Sequence, residues 1–123
     1  MNPIEVKHGI FPGKTIVFCG PSKKAKKHLL KVCKDREIVN QLGHNAEGQT
    51  FSCEWATFVW VRHSLDKPKG VAVLAHELLH VVIGVLRHCG IALSDESEEV
   101  YNYFLSHLTC LLYTSDAADE WLR

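Results

Sequence analysis

The sequence carries no net charge, because its 14 lysines and arginines are matched by 14 aspartates and glutamates among 123 residues. It therefore lacks the overall basic excess that is typical of nucleic-acid-binding proteins, and it also lacks an acidic tail. No charged-then-apolar leader begins the chain, so we expect no signal peptide and a cytoplasmic protein. Hydrophobic residues make up 46% of the chain, which excludes wholesale disorder and indicates one globular domain.

A disulfide framework is also missing. The chain has five cysteines, an odd number, and none of them forms a CxxC motif. Secreted disulfide scaffolds normally use even sets, so we expect free thiols that pack as small hydrophobic residues. Eight histidines, in contrast, are many for this length and give a first indication of a metal site.

The most apolar stretch, Val71–Leu86, does not favour a membrane span. It contains His76, Glu77 and His80, which a bilayer would penalise, and it is short for crossing one. We therefore expect a buried helix of a globular domain and no membrane partner.

A lysine-rich segment follows Gly20-Pro21. It is not a phosphate-binding P-loop, because the second glycine and the Gly-Lys-Ser/Thr ending are absent. Ser22 is a plausible N-cap for a helix that runs to about Cys33 and carries lysines on its solvent-exposed side. We expect these lysines to form a solvated face, with a nucleic-acid or other anionic patch as the less favoured alternative.

The remaining patterns predict an α+β domain. A small, mainly antiparallel sheet is expected to pack on a long helix and on the helix that follows it, in the order β-α-β-β-α-α. Asn40–Gly48 is expected to be a loop, and Ser94 or Asp95 is expected to cap the last helix, which runs to about Thr109. The predicted strands are Lys14–Cys19, Gln49–Cys53 and Ala56–His63, and the long helix is Val71–His88.

An HExxH motif, His76–His80, lies in the long helix. Two histidines four residues apart share one helix face, so both imidazoles can reach a single zinc ion. Glu77 lies about 100° further round the helix, beside that ion rather than on it. From there its carboxylate can act as general base and acid. The alternative is that both histidines are satisfied core residues.

The segment Thr57–Leu108 resembles the zincin metallopeptidases, which have a strand, an HExxH helix, a turn and a helix that carries a third zinc ligand. In the Glu-zincin branch that ligand is a glutamate about twenty residues after the second histidine. The resemblance therefore implies Glu98 as the third ligand, with Glu99 as the alternative, at 18 and 19 residues after His80. The extended HExxHxxGxxH signature is absent, which disfavours the Met-turn branch.

The resemblance implies further parts of a peptidase site. Asn102 and Tyr103 follow the two glutamates by four residues and are candidates for a hydrogen bond to a zinc-bound histidine. Tyr101, Tyr103 and His107 are candidate oxyanion donors. Zincins also hold the substrate as a strand added to a sheet edge, and Ala56–His63 is the predicted edge strand.

The sequence therefore predicts a zinc-dependent peptidase, a hydrolase that acts on a peptide or protein. Glu77 would be the general base and acid, and His76, His80 and Glu98 would bind Zn²⁺. The alternative is a non-catalytic, zinc-stabilised binding or structural module of a phage or mobile-element complex, because Gly90-Ile91 followed by Ser97–Glu99 also resembles small phage-encoded, peptidase-like proteins. A nucleic-acid partner is not favoured, and the sequence indicates neither a particular substrate nor an oligomeric state.

The end of the chain resembles a translated sequencing adapter rather than natural sequence. The resemblance covers Cys110–Glu120, CLLYTSDAADE, and such segments recur at the broken ends of reading frames from shotgun, including metagenome, assemblies. We therefore expect one zincin-like domain over residues 1–109 and a non-native tail over residues 110–123.

Overall fold

Strands and helices alternate in pairs along residues 2–114, the part of the chain that the computed structural model describes. The order is β-β-α-α-β-β-α-α, so the sequence-based prediction omitted a first strand and a short second helix. Both omitted elements are five residues long or shorter. The strands are β1 (Ile4–Lys7), β2 (Lys14–Cys19), β3 (Gly48–Ser52) and β4 (Thr57–Val61). The helices are α1 (Ser22–Val32), α2 (Arg36–Asn40), α3 (Pro68–His88) and α4 (Glu98–Thr114).

The strands form one sheet in the order β1-β2-β4-β3. Only β2 and β4 run parallel, while the β1–β2 and β3–β4 pairs are antiparallel. The fold is therefore α+β, with a mainly antiparallel sheet packed against α3 and α4, as predicted. The predicted edge strand was wrong, because β4 lies between β2 and β3, and the edges are β1 and β3. Every residue of β4 is buried, as expected for an interior strand.

Helices cover both faces of the sheet, because alternate residues of a strand point to opposite sides. Phe58 and Trp60 of β4 belong to the core beneath α1 and α2. Val59 and Val61 belong to the other core, beneath α3 and α4. The molecule therefore has three layers, with the HExxH helix and the lysine-rich helix on opposite sides.

Helix α3 begins at Pro68, which is favoured in a first helical turn because its fixed φ suits the helix and its missing N–H is not needed there. With 21 residues it is longer than predicted, and in residues 2–114 it is the one helix long and apolar enough, by length and composition, to cross a membrane. The helix is therefore not too short to cross a bilayer, contrary to the sequence-based expectation. Its row of buried residues, from Leu74 to Leu86, nevertheless packs against the sheet and α4, as in the core helix of a globular domain.

Helix α4 begins at Glu98, later than predicted, because the residues before it form a turn. In that turn the hydroxyls of Ser94 and Ser97 each accept a hydrogen bond from the backbone N–H of the other residue, at 3.3 and 2.9 Å. The helix continues past Thr109 to Thr114, and Leu112 is buried in the core. The rest of the predicted non-native tail, residues 115–123, lies outside the described residues.

Candidate metal centre

His76 and His80 lie on successive turns of α3, and both are exposed to solvent. Their Nε2 atoms are 3.2 Å apart, and their ring planes are inclined by 70°. The side chain of His76 is 68% exposed. The alternative of two satisfied core histidines is therefore wrong.

The spacing of the two imidazoles suits one tetrahedral metal ion. Zinc binds histidine nitrogen at about 2.0–2.1 Å, so two such ligands at the tetrahedral angle are about 3.3–3.4 Å apart. The observed Nε2–Nε2 distance of 3.2 Å is close to that value. The distance between the two nitrogens is therefore compatible with two ligands of one zinc ion.

Glu77 differs from its neighbours because it is buried, with only 6% of its surface exposed. The hydroxyl of Thr50, on β3, donates a hydrogen bond of 2.8 Å to Glu77 Oε1. The other carboxylate oxygen, Oε2, is 3.8 Å from His76 Nε2. One oxygen of Glu77 is thus fixed by the sheet, and the second lies beside the histidine pair.

Gly48 allows β3 to come this close to α3. A Cβ atom at position 48 would lie 2.5 Å from Val73 Cγ1, 2.9 Å from the carbonyl oxygen of Trp60 and 3.3 Å from Glu77 Cγ. A side chain here would therefore push the edge strand away from the carboxylate. Sequence analysis assigned neither Gly48 nor Thr50 to the site, although a glycine in a strand often marks a close approach of backbone.

The predicted third ligand does not join the histidine pair in this structure. Within residues 2–114, no group of three or more histidine, cysteine, aspartate or glutamate side chains is placed to hold a metal ion. Glu98 and Glu99 are exposed in the first turn of α4. The structure therefore brings His76 and His80 together but not Glu98 or Glu99, and the assignment of zinc ligands stays a prediction.

The other candidates on α4 lie apart from the histidines. Asn102, Tyr103 and His107 are exposed, and none is hydrogen-bonded to His76 or His80 in the described part of the chain. His107 lies against Gly9 in the β1–β2 loop, and its role, like those of Asn102 and Tyr103, stays a prediction. Tyr101 is buried and donates a 2.6 Å hydrogen bond to the carbonyl of Ile91, which is a structural role.

A pocket of about 330 Å³ begins at the second histidine. Along α3 it is lined by His80, Gly84 and His88, which are four residues apart and share one helix face. Trp55, in the β3–β4 hairpin, contributes a side chain that is 78% exposed. The pocket and the buried carboxylate are therefore both next to the histidine pair.

His8 also lines this pocket and is 2% exposed. Its Nδ1 lies 2.8 Å from the carbonyl oxygen of Pro12, and its Nε2 lies 2.6 Å from the hydroxyl of Thr15. Because the carbonyl can only accept, Nδ1 carries the proton and Nε2 accepts from Thr15. Burial lowers the pKa of His8 below its ordinary value, against the opposing effect of the Pro12 hydrogen bond.

Comparison of the chain with protein-family models, curated proteins and solved structures found no match.

Proposed function

We propose that the protein is a zinc-dependent peptidase. The observation that carries the proposal is the combination of an exposed histidine pair at zinc-ligand spacing with a buried carboxylate beside it, held by Thr50. A buried, ionisable glutamate is costly unless it is hydrogen-bonded. Its retention next to two exposed histidines is expected where the carboxylate takes part in chemistry at the metal.

His76 and His80 would hold the ion, with Glu98 as the predicted third ligand. Zinc, when bound, acts as a Lewis acid toward a substrate carbonyl and makes water a nucleophile near neutral pH. Glu77 would accept a proton from the attacking water at Oε2 and deliver it to the nitrogen of the leaving amine. The hydrogen bond from Thr50 to Oε1 would keep Oε2 oriented toward that water.

The substrate would bind as an added strand along β3. Among the strands of residues 2–114, β3 lies at one edge of the sheet and has one side without a neighbouring strand. An extended peptide can hydrogen-bond to such an edge. Because Thr50 of β3 contacts Glu77, a peptide on this edge would pass beside the carboxylate. The pocket that begins at His80 would then accept a substrate side chain.

The test is the metal content of protein purified without added zinc, compared with His80→Ala. We expect one zinc per chain, and its loss in the variant. Glu98→Ala should lower zinc affinity sharply, while Glu99→Ala should not. The reverse result would make Glu99 the ligand, and an absence of zinc from both the parent and His80→Ala would refute the metal centre.

Glu77→Gln separates catalysis from metal binding. The glutamine keeps the shape of the side chain but cannot accept a proton, so hydrolysis of a peptide library should fall about 10²–10⁴-fold with zinc content unchanged. Zinc binding with no hydrolysis in the parent protein would support the non-catalytic module instead.

A further inference from the structure

Although the chain has zero net charge, one segment of it is strongly basic. Six of the 14 lysines and arginines lie between Lys23 and Lys34, and no acidic residue lies among them. All six residues are lysines: Lys23, Lys24, Lys26, Lys27, Lys31 and Lys34. The opposite charges are elsewhere in the chain, including four in the short segment from Asp95 to Glu99.

Five of these lysines lie on helix α1, and Lys34 follows its C-cap, Cys33. Ala25 and Leu29 are fully buried against the sheet, and the lysines of the helix are exposed except for Lys26, which is half-buried. Lys23, Lys27 and Lys31 are four residues apart and therefore form a row along the exposed side. The helix has 11 residues and is about 16 Å long, since each residue rises about 1.5 Å. We call this surface, made by the six lysines, the lysine face.

Asp35 and Glu37 follow Lys34 closely in sequence, but no ion pair of the described residues joins a carboxylate to the lysine face. In the described part of the chain the ion pairs of lysine involve Lys14 and Lys69, and none involves the six lysines. Like charges four residues apart destabilise a helix, and lysines in a first turn oppose the helix dipole. The first turn of α1 has no acidic residue, and Pro21 provides no side-chain cap. The helix therefore keeps an arrangement that is intrinsically unfavourable.

We propose that the lysine face binds the phosphate backbone of duplex nucleic acid. Five cations spread along a helix of this length, with Lys34 just beyond its end, fit an extended polyanion, which supplies evenly spaced phosphates, better than a single small anion. A membrane surface fits poorly, because Leu30, 41% exposed, is the one large apolar side chain that α1 exposes, and insertion needs a broader apolar face. No aromatic residue of type Phe, Tyr or Trp occurs in α1, so base stacking is not expected.

Binding through phosphates alone has two consequences. It should be independent of base sequence, because phosphate contacts position a protein without reading bases. It should also depend steeply on salt, because each contact releases counterions. Since α1 and α3 lie on opposite sides of the sheet, a bound duplex would leave the HExxH face open. This inference does not depend on the proposed peptidase activity.

The experiment measures binding of a labelled 20-base-pair DNA duplex by fluorescence anisotropy at about 50 and 200 mM salt. With about five phosphate contacts, the affinity should fall roughly 500-fold over this range. The variant Lys23→Gln/Lys27→Gln/Lys31→Gln, which removes the central row, should keep about two contacts and lose only about tenfold over the same range. At the lower salt concentration it should bind at least about tenfold more weakly than the parent chain.

The matched control is Lys7→Gln/Lys67→Gln/Lys69→Gln, which removes three exposed lysines outside α1 and changes the net charge equally. It should bind the duplex nearly as well as the parent. Equal losses in both triple variants would show a general charge effect and overturn the proposal. No binding by the parent, or binding to vesicles rich in phosphatidylserine but not to the duplex, would also overturn it. Urea unfolding of both variants checks that the fold is retained.

Discussion

His8 and His80 line the same pocket, and His76 lies next to His80. The two sides differ in burial. His8 is buried, and both of its ring nitrogens are hydrogen-bonded to protein groups. His76 and His80 are exposed, and in the described part of the chain their Nε2 atoms lie within hydrogen-bond distance of each other. His8 also packs edge-on against Phe104, with ring centroids 5.4 Å apart, so its orientation is fixed by the core.

The difference separates a structural histidine from a candidate ligand. A buried imidazole must satisfy both nitrogens within the protein, because unpaired polar groups are costly in the core. Exposed imidazoles have no such requirement, and water can satisfy them. Two of them at 3.2 Å on one helix face are consequently available for a ligand from outside the chain. The predictions below test this distinction, beginning with the largest expected effect.

The Thr50 hydroxyl should matter for hydrolysis because it orients Glu77. Thr50→Val keeps the shape of the side chain but removes the donor to Oε1, whereas Thr50→Ser keeps the donor. Groups that orient catalytic or metal-binding side chains typically contribute about 10–100-fold. We expect Thr50→Val to lower kcat by that factor with little change in KM, and Thr50→Ser to restore most of it. Steady-state kinetics and zinc content of both variants provide the measurement.

A purely structural role for Thr50 would give a different pattern. Loss of the hydrogen bond to a buried carboxylate should also cost about 1–3 kcal/mol of stability. If Thr50→Val lowered stability but left kcat unchanged, Thr50 would support the fold without positioning the base.

Gly84, which lines the pocket with His8 and His80, provides a test of whether substrates use this pocket. A Cβ atom at this position would meet no atom outside the neighbouring helix backbone within 4 Å, so there is open space for a side chain to begin here. Gly84→Ala should stabilise α3 by about 0.8–1.0 kcal/mol, because glycine is a poor helix former. Gly84→Leu should partly fill the pocket and raise KM for peptide substrates about tenfold, with zinc content unchanged. An unchanged KM in Gly84→Leu would show that substrates do not use this pocket.

Much of the fold was predictable because its long elements have clear periodic patterns. The apolar run from Val71 to Leu86 predicted α3, and the β-branched and aromatic residues of β4 predicted a strand, although its place inside the sheet was predicted wrongly. In contrast, β1 has four residues, two of them charged, and such a short segment has little periodicity to detect. The starting residue of α4 was missed because the Ser94–Ser97 turn precedes it.

The candidate site was predictable only where its residues are close in sequence. His76, Glu77 and His80 lie on one helix, so helical spacing alone brings them together. Thr50 is 27 residues from Glu77, and its contact depends on how β3 packs against α3. The position of Glu98 depends on the turn after α3 and on the packing of α4, which motif spacing does not determine.

The smallest expected effect is a dependence of stability on pH that comes from His8. Its pKa in the folded protein is lowered by burial, so the folded state resists protonation while the unfolded state takes up a proton near pH 6.5. The stability from His8 is therefore complete above about pH 6.5 and falls as the pH decreases below it. Urea unfolding at about pH 7.5 and 5.5 should show this loss, and His8→Asn should reduce it. His44→Asn, at an exposed position, should leave the dependence unchanged.

The choice of pH range matters, because Glu47, whose pKa is lowered mainly by its hydrogen bond with His63, loses its contribution to stability only at more acidic pH. An equal pH dependence in His8→Asn and the parent would show that burial of His8 is not its cause. Burial would then not distinguish the protonation energetics of His8 from those of the exposed His76 and His80.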